Sequence, residues 1–396
     1  MADLLKISFV FVLIVLLLRK KINVGLAMLI AASALLILYR LPLASIFGTA
    51  KSALLSDITI KLLLALSFIR MFEMILRQNN VLAEMMTAAK SIFRKRKLVA
   101  ISMPMLIGLM PSIGGAYFSA PMVEETTRDT GMSREEKSFV NYWFRHPWEY
   151  ILPLYPGILL ASAISGIELH TLIAVNLAYA LIMLISGFVF SLHGLKGAVQ
   201  SEEGLTGKKL WSFAPIFAVL LLVVAFRVEL HYALIAVTLF LLAFYKYNFR
   251  SIISALRHGF SPDVIYLIIG VMFFKEVLEN SGAVSNLSLF FLQEGIPAYP
   301  ILFLLPFITG MLTGITVGFV GSTFPLIISI AGNASTGAIS FAFAAGFLGV
   351  LLSPVHICLV LTREYFKADL WGIYKLMLPG CAIIFAAAIA QYLFLR

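Results

Sequence analysis

The sequence predicts an all-α polytopic membrane protein, made of two inverted repeats that each contain five transmembrane helices and one re-entrant hairpin. The first observation is composition: of 396 residues, 61% are hydrophobic and 13% charged, and the mean hydropathy is +0.98. Several apolar runs reach about 18 to 25 residues, the length that crosses a bilayer. A water-soluble fold cannot bury that much apolar surface.

The second observation is a pair of interrupted apolar runs. Residues 108–122 read GLMPSIGGAYFSAPM, and residues 310–324, at an offset of 202, read GMLTGITVGFVGSTF. Glycines, prolines and small hydroxyl residues disfavour a continuous helix there. Within a bilayer, irregular backbone is tolerated only where protein buries it or a watery cavity adjoins it. Two such interruptions at corresponding places indicate a transporter binding site.

The third observation is the internal duplication. At the offset of 202, Pro104, Gly108 and Ile113 fall on Pro306, Gly310 and Ile315. Similar offsets relate other elements in the same order, which is typical of a duplicated unit. We therefore divide the chain into a first repeat over residues 1–200 and a second over residues 205–396.

The elements of the first repeat follow from its apolar runs and its prolines. Spans are predicted over residues 4–18, 24–39, 58–76 and 172–192. Residues 81–97 form an amphipathic arm at the interface, residues about 98–124 a re-entrant hairpin, and residues about 138–163 a helix broken by three prolines. In the second repeat, the hairpin covers about 300–332 and the broken helix about 338–362.

Loop charge gives the orientation. In this layout the Lys and Arg residues between spans gather on one side, for example in the segments 19–21 and 94–97. That side is cytoplasmic by the positive-inside rule, so both termini are predicted outside the cell membrane. The net charge of +10 is thus explained by membrane orientation and anionic lipid, and no nucleic-acid partner is expected. The first apolar run lacks a cleavage site and is interpreted as a retained span.

The hairpin tips are the first candidate site for substrate or ion binding. Half-helix N-termini attract anions there, while free carbonyls and hydroxyls can bind Na⁺. The candidates are Ser112, Gly114, Gly115 and Ser119 in the first stretch and Thr313, Gly314, Thr316, Gly321, Ser322 and Thr323 in the second. The alternative is that these small residues only let helices pack closely.

The broken helices are the second candidate, as a proton or substrate path. His146 and Glu149 occur beside prolines in one of them, with Arg145 adjacent, and Ser353 and His356 flank Pro354 in the other. Ionisable groups inside a span are costly and usually functional. The alternative is an interfacial cluster at the membrane surface for the first three residues.

Other residues are expected to be structural. Asp57 and Asp263, at matching places before spans, are predicted N-caps, and Arg70 with Glu73, and Lys275 with Glu279, are predicted ion pairs. Cys358 and Cys381 are interpreted as packed thiols. No metal site, organic cofactor or catalytic residue is predicted, and no enzyme motif is present.

The stretches PSIGGAYFSAP, HPWEYILPLYP and SPVHICLVLT resemble a family of uncharacterised ten-span prokaryotic membrane proteins near the ion transporter superfamily, which includes anion:sodium symporters. The resemblance implies a scaffold made of the first, second and sixth elements, a transport domain of hairpins and broken helices, and a homodimer. Characterised symporters carry Ser-Asn-Thr at each tip, whereas this chain lacks the asparagine.

The expected function is secondary active transport of a small anion, an organic acid or an inorganic oxyanion, coupled to Na⁺ or H⁺ by alternating access. Na⁺ is then a possible coupling ion, and the expected partners are the anionic solute and membrane lipid. The alternatives are a membrane-embedded enzyme acting on a lipid or polyprenyl substrate, with His146, Glu149 and His356 as acid and base, and a scaffold that does not transport.

Overall fold

The chain is helical throughout its described length. The computed structural model describes residues 2–93, 95–111, 115–191, 195, 210–282, 286, 298–331 and 335–395, and no β-strand occurs within these ranges. In the first half the helices are α1 (Ala2–Arg19), α2 (Val24–Leu38), α3 (Leu43–Leu55), α4 (Asp57–Gln78), α5 (Val81–Ile92), α6 (Arg96–Gly108), α7 (Gly115–Thr127), α8 (Arg134–Trp143), α9 (Pro156–Ser165) and α10 (Leu169–Ser191).

The described part of the second half is likewise helical. Its helices are α11 (Ala214–Leu220), α12 (Leu230–Phe244), α13 (Phe249–Gly259), α14 (Pro262–Asn280), α15 (Ala298–Thr313), α16 (Thr316–Ala331), α17 (Thr336–Leu351), α18 (Ile357–Phe366) and α19 (Leu370–Phe394). A π-helical turn over Leu221–Ala225 extends α11.

Few of these helices can cross a membrane alone. Among the described residues, Leu169–Phe190 and Leu370–Phe394 are long and apolar enough, and the bent pair α3–α4 adds a third if it counts as one span. The apolar helices α2, α12 and α17 contain 15 or 16 residues. At 1.5 Å per residue they reach about 23 Å, short of a hydrocarbon core of about 30 Å.

Helix pairs occupy the stretches for which hairpins and broken helices were predicted. The helices α6 and α7, and likewise α15 and α16, pack against each other around a short connection. The broken segments comprise α8 with α9, and α17 with α18. The amphipathic helices α3 and α13, each before a predicted third span, were not predicted.

Some smaller predictions are wrong. Ser56 and Ser261 occupy the N-cap positions of α4 and α14, and the two aspartates lie in the first turns instead. Glu73 pairs with Arg77 at 2.5 Å in place of the predicted Arg70. The prediction of an ion pair between Lys275 and Glu279 is confirmed, with a distance of 3.0 Å.

The two halves interlock. The helices α2 and α14 cross so closely that a Cβ atom on Gly270 would lie 2.1 Å from the carbonyl oxygen of Gly25. Helix α4 packs on α12. The predicted second span of each half therefore contacts the third span of the other half. The distal part of each broken helix packs on the second helix of the opposite pair, α9 on α16 and α18 on α7.

Candidate functional site

The first helix break arises from proline chemistry. Helix α8 ends at Trp143, Pro147 begins a short 3₁₀ turn over Pro147–Tyr150, and Pro156 begins α9. Proline lacks the backbone N–H that would continue a helix and is favoured at a first helical position. The chain is therefore non-helical over much of the interval between α8 and α9.

The second break has the same cause. Helix α17 ends at Leu351, Pro354 lies in the connection, and α18 begins at Ile357 with His356 as its N-cap residue. The fifteen helical residues from Gly337 to Leu351 are all buried. Within the break, Ser353 and His356 are buried, whereas Pro354 and Val355 are exposed.

The tip between α15 and α16 adjoins this second break. Gly314 has a φ of +64°, a conformation that is unfavourable for residues with a Cβ atom. A Cβ atom at this position would also approach the backbone nitrogen of His356 to 2.8 Å. The tip is therefore shaped by a glycine that contacts the broken helix directly.

Side chains of the breaks satisfy backbone carbonyls at the helix ends. The hydroxyl of Tyr155 donates to the carbonyl of Gly108 at 2.6 Å, and the indole N–H of Trp148 donates to Met105 at 2.8 Å. Ser353 donates to the carbonyl of Met311 at 2.7 Å. The last carbonyls of a helix have no intrahelical partner, so each broken segment stabilises the first helix of its neighbouring pair.

Two histidines join the two breaks. The Nε2 atoms of His146 and His356 lie 3.1 Å apart, although the residues are 210 positions apart in the chain. His146 Nδ1 lies 2.6 Å from the carbonyl oxygen of Tyr142, and His356 Nδ1 lies 2.7 Å from that of Gly314. Both rings are buried. A carbonyl can only accept, so each Nδ1 carries a proton and donates it.

Glu149 connects the first break to the tip. Its Oε2 accepts a hydrogen bond of 2.5 Å from the hydroxyl of Thr316, and its Oε1 lies 3.8 Å from His146 Nε2. Arg145 and Glu149 are 3% and 8% exposed, so both side chains are buried within the protein. Gly157 permits this approach, since a Cβ there would lie 2.3 Å from the Thr316 methyl carbon.

A cavity with a volume of about 630 Å³ adjoins these residues. Its walls come from α2, α4 and α14 on one side and from the breaks and the second tip on the other. The lining includes His356, Cys358 and Thr316 and many apolar side chains. The carboxylate and guanidinium groups around it belong to Arg70, Glu73, Arg77, Arg145, Glu149 and Asp263. The cavity can thus hold a small charged solute.

The predicted tip residues fall into separate groups. Ser112 and Gly114 lie outside the described residues, and Gly115 is buried at the start of α7. Ser119 donates to Asn141 at 2.6 Å, in the packing between α7 and α8. Gly314 and Thr316 line the cavity.

The remaining predicted residues of the second stretch contact either a neighbouring helix or the backbone of their own helix. The hydroxyls of Thr313, Ser322 and Thr323 donate to carbonyls one turn earlier in their own helices. Gly321 lies against Val271 of α14, where a Cβ would approach within 2.9 Å of a methyl carbon. These contacts have the form of close helix packing.

Sequence reasoning missed Cys358. Its Sγ and the available nitrogens of His146 and His356 lie within 4.8 Å of one another and could hold a metal ion. The available signal was the spacing of two residues between His356 and Cys358 at a helix break. The third residue of the cluster, His146, lies 210 positions from His356, so no local spacing reveals the complete set.

The described chain is helical, and two of its helices, or three with the bent pair α3–α4, are long and apolar enough to cross a membrane. Together with a cavity lined by charged residues, this is consistent with an α-helical membrane protein. A family model described as "Protein of unknown function (DUF401)" matches residues 3–395. The chain therefore belongs to this family. The search of curated proteins found no match.

Proposed function

We propose that this protein is a secondary active transporter for a small anion, an organic acid or an inorganic oxyanion, coupled to Na⁺ or H⁺. The observation that carries the proposal is the cavity at the helix breaks, with Arg145 and Glu149 in its wall. Buried ionisable groups in a membrane protein are expensive and usually mark a substrate or ion path. The guanidinium of Arg145 is a suitable partner for a carboxylate or an oxyanion.

The size and composition of the cavity support this proposal. Sites for small solutes commonly have volumes of about 300–1,000 Å³, with mostly apolar walls and a few polar groups. The volume of about 630 Å³ falls inside that range. One wall consists of α2, α4 and α14, and the other of the breaks and the second tip. Movement of the breaks and the second tip against α2, α4 and α14 would open the cavity alternately to the two sides of the membrane.

Contacts between the halves support an inverted duplication. Helix α9 packs on α16 and α18 packs on α7, so each broken helix contacts the hairpin of the opposite half. Such reciprocal contacts are expected when two related units face each other across a pseudo-twofold axis. On this basis we infer ten spans and two oppositely oriented hairpins in the cell membrane. The loop charges then favour extracytoplasmic termini.

Binding should be tested on the purified full-length protein in detergent. Thermal unfolding would be measured with succinate, citrate, gluconate, sulfate or phosphate, with and without Na⁺, across pH. A ligand that binds only the folded state at 100 times its Kd stabilises by about 2.7 kcal/mol. We expect at least one of these anions to raise the unfolding temperature, and to be accumulated by proteoliposomes under a Na⁺ or pH gradient.

Matched variants make the test specific. Arg145→Gln should abolish the stabilisation by the anion, while Arg227→Gln, which alters an exposed arginine, should leave it unchanged. Loss of stabilisation in both variants, or in neither, would contradict the proposed site. Turnover of a lipid without an ion gradient would instead support the enzyme alternative.

A further inference from the structure

We propose that the chain binds one divalent transition metal ion, Zn²⁺ by its ligand chemistry, between His146, His356 and Cys358. These residues come from the two helix breaks and meet in the interior. The inference stands independently of transport, because it rests on the ligand atoms alone.

The hydrogen bonds of the two histidines carry the inference. Since both Nδ1 atoms donate to carbonyls, both Nε2 atoms of the neutral rings present lone pairs. These lone pairs face each other at 3.1 Å, an arrangement that requires either a proton shared between the two rings as a hydrogen bond or a metal ion bound by both. In a tetrahedral zinc site with bonds of about 2.0–2.1 Å, two such nitrogens lie roughly 3.4 Å apart. The observed spacing is close to that value.

The carbonyl contacts are also the kind that orient metal ligands. A metal-binding histidine usually donates its other ring N–H to a carboxylate or a backbone carbonyl, which fixes the tautomer and the ring orientation. Here Tyr142 near the end of α8 and Gly314 at the second tip provide those carbonyls. Both imidazoles are therefore held in the orientation that directs Nε2 to a shared point.

Cys358 determines which metals fit. Its side chain is within hydrogen-bonding reach of both imidazoles. A thiolate with two imidazoles suits Zn²⁺ and other borderline or soft ions, whereas Mg²⁺ and Ca²⁺ prefer oxygen ligands. On binding, the thiol proton leaves to solvent and a sulfur–metal bond forms.

Glu149 can complete the coordination. Its Oε1 lies 3.8 Å from His146 Nε2, so a small side-chain movement would bring it to the same ion. The thiolate and the carboxylate would then supply two negative charges to the metal, beside the positive guanidinium of Arg145, which contacts Cys358. Glu149, His356 and Cys358 all line the cavity, which gives the ion a route to the ligands.

Cobalt provides a direct probe, because a cysteine thiolate bound to Co²⁺ gives a charge-transfer absorption in the near ultraviolet. The full-length protein, purified without a histidine tag and stripped with a chelator, would be titrated with Co²⁺ under reducing conditions. We expect one equivalent to bind with this absorption, and one equivalent of Zn²⁺ to displace it. Metal content after Zn²⁺ loading and desalting should likewise approach one ion per chain.

Substitutions locate the ion. Cys358→Ser is nearly isosteric and should eliminate the thiolate absorption, while Cys381→Ser, at a buried cysteine outside the cluster, should retain it. His146→Gln and His356→Gln should each weaken Zn²⁺ binding by at least about 10–100-fold, the range seen even when residues that only support ligands are replaced. Absence of metal binding by the wild type, or unchanged binding by Cys358→Ser, would overturn the proposal.

Discussion

Replacing Tyr155 by phenylalanine tests whether side chains of the breaks stabilise the ends of the hairpin helices. The Tyr155 hydroxyl donates to the carbonyl of Gly108 at 2.6 Å, and Tyr155 itself is 8% exposed. The substitution removes one oxygen and leaves the ring in place. The carbonyl at the end of α6, on the buried residue Gly108, then loses this donor.

The expected cost can be compared with that of a neighbouring tyrosine. Leaving a buried polar group without a partner costs about 1–3 kcal/mol, or roughly 5- to 150-fold in the unfolding equilibrium constant. Tyr150 is fully buried in the same segment, and its hydroxyl has no hydrogen-bond partner among the described residues. Tyr150→Phe should therefore be neutral or slightly stabilising, since it removes a desolvated hydroxyl that gains nothing from folding.

Both variants should be measured by reversible unfolding in mixed micelles, followed by tryptophan fluorescence or circular dichroism. We expect the free energy of unfolding to fall by about 1–3 kcal/mol for Tyr155→Phe and to stay constant or rise for Tyr150→Phe. Equal costs would refute the role assigned to the Tyr155 hydroxyl. A larger cost at Tyr150 would show that the packing of the ring, rather than the hydrogen bond, dominates in this segment.

Further predictions concern the second tip and the contact between the halves. Thr316→Val removes the donor to a buried carboxylate and should lower the free energy of unfolding by about 1.5–3 kcal/mol, measured by the same unfolding experiment. Thr323→Val loses only a hydrogen bond within its own helix and should cost less. A larger cost for Thr323→Val would contradict the geometry. Gly314→Ala forces a residue with a Cβ into φ of +64° and should destabilise by at least about 1–2 kcal/mol, whereas Gly48→Ala, with open space around it, should not destabilise the protein. Asn141→Leu removes the side chain that joins α7, α8 and α18 through three hydrogen bonds and should lower the free energy of unfolding by about 3 kcal/mol or more. The control is Asn280→Leu, at an exposed position. An equally small loss of stability in both variants would count against the network.

The positions of the helix breaks could be predicted because proline and glycine act locally. Pro147 and Pro156 begin new helical segments and Pro354 lies between α17 and α18, where the missing N–H or the fixed φ angle determines the outcome. The prediction of two re-entrant hairpins depends on the same residue types. Local chemistry also explains why α6 and α15 end near the predicted tips.

Local chemistry could not predict which side chains line the cavity. Ser322 and Thr323 resemble a binding motif in sequence, yet each hydroxyl donates to its own helix. Whether a hydroxyl faces a cavity depends on the rotation of α16, which packing against α14 helps to set. The approach of His146 to His356 depends on the arrangement of two segments 210 residues apart, and no single window of sequence contains it.

The cavity wall is held together by contacts of very long sequence separation, and this constrains how the protein is made. The hydrogen-bond partner of Glu149, Thr316, is synthesised 167 residues later, and that of Asn141, Thr362, is synthesised 221 residues later. At a synthesis rate of about 5–20 residues per second, the earlier member of each pair stays without its partner for roughly ten to forty seconds. During that interval Glu149 and Asn141 need water, lipid headgroups or a helper protein around them. The contact between Asn141 and Thr362 therefore forms late in biosynthesis, and a chain truncated before α18 would lack it.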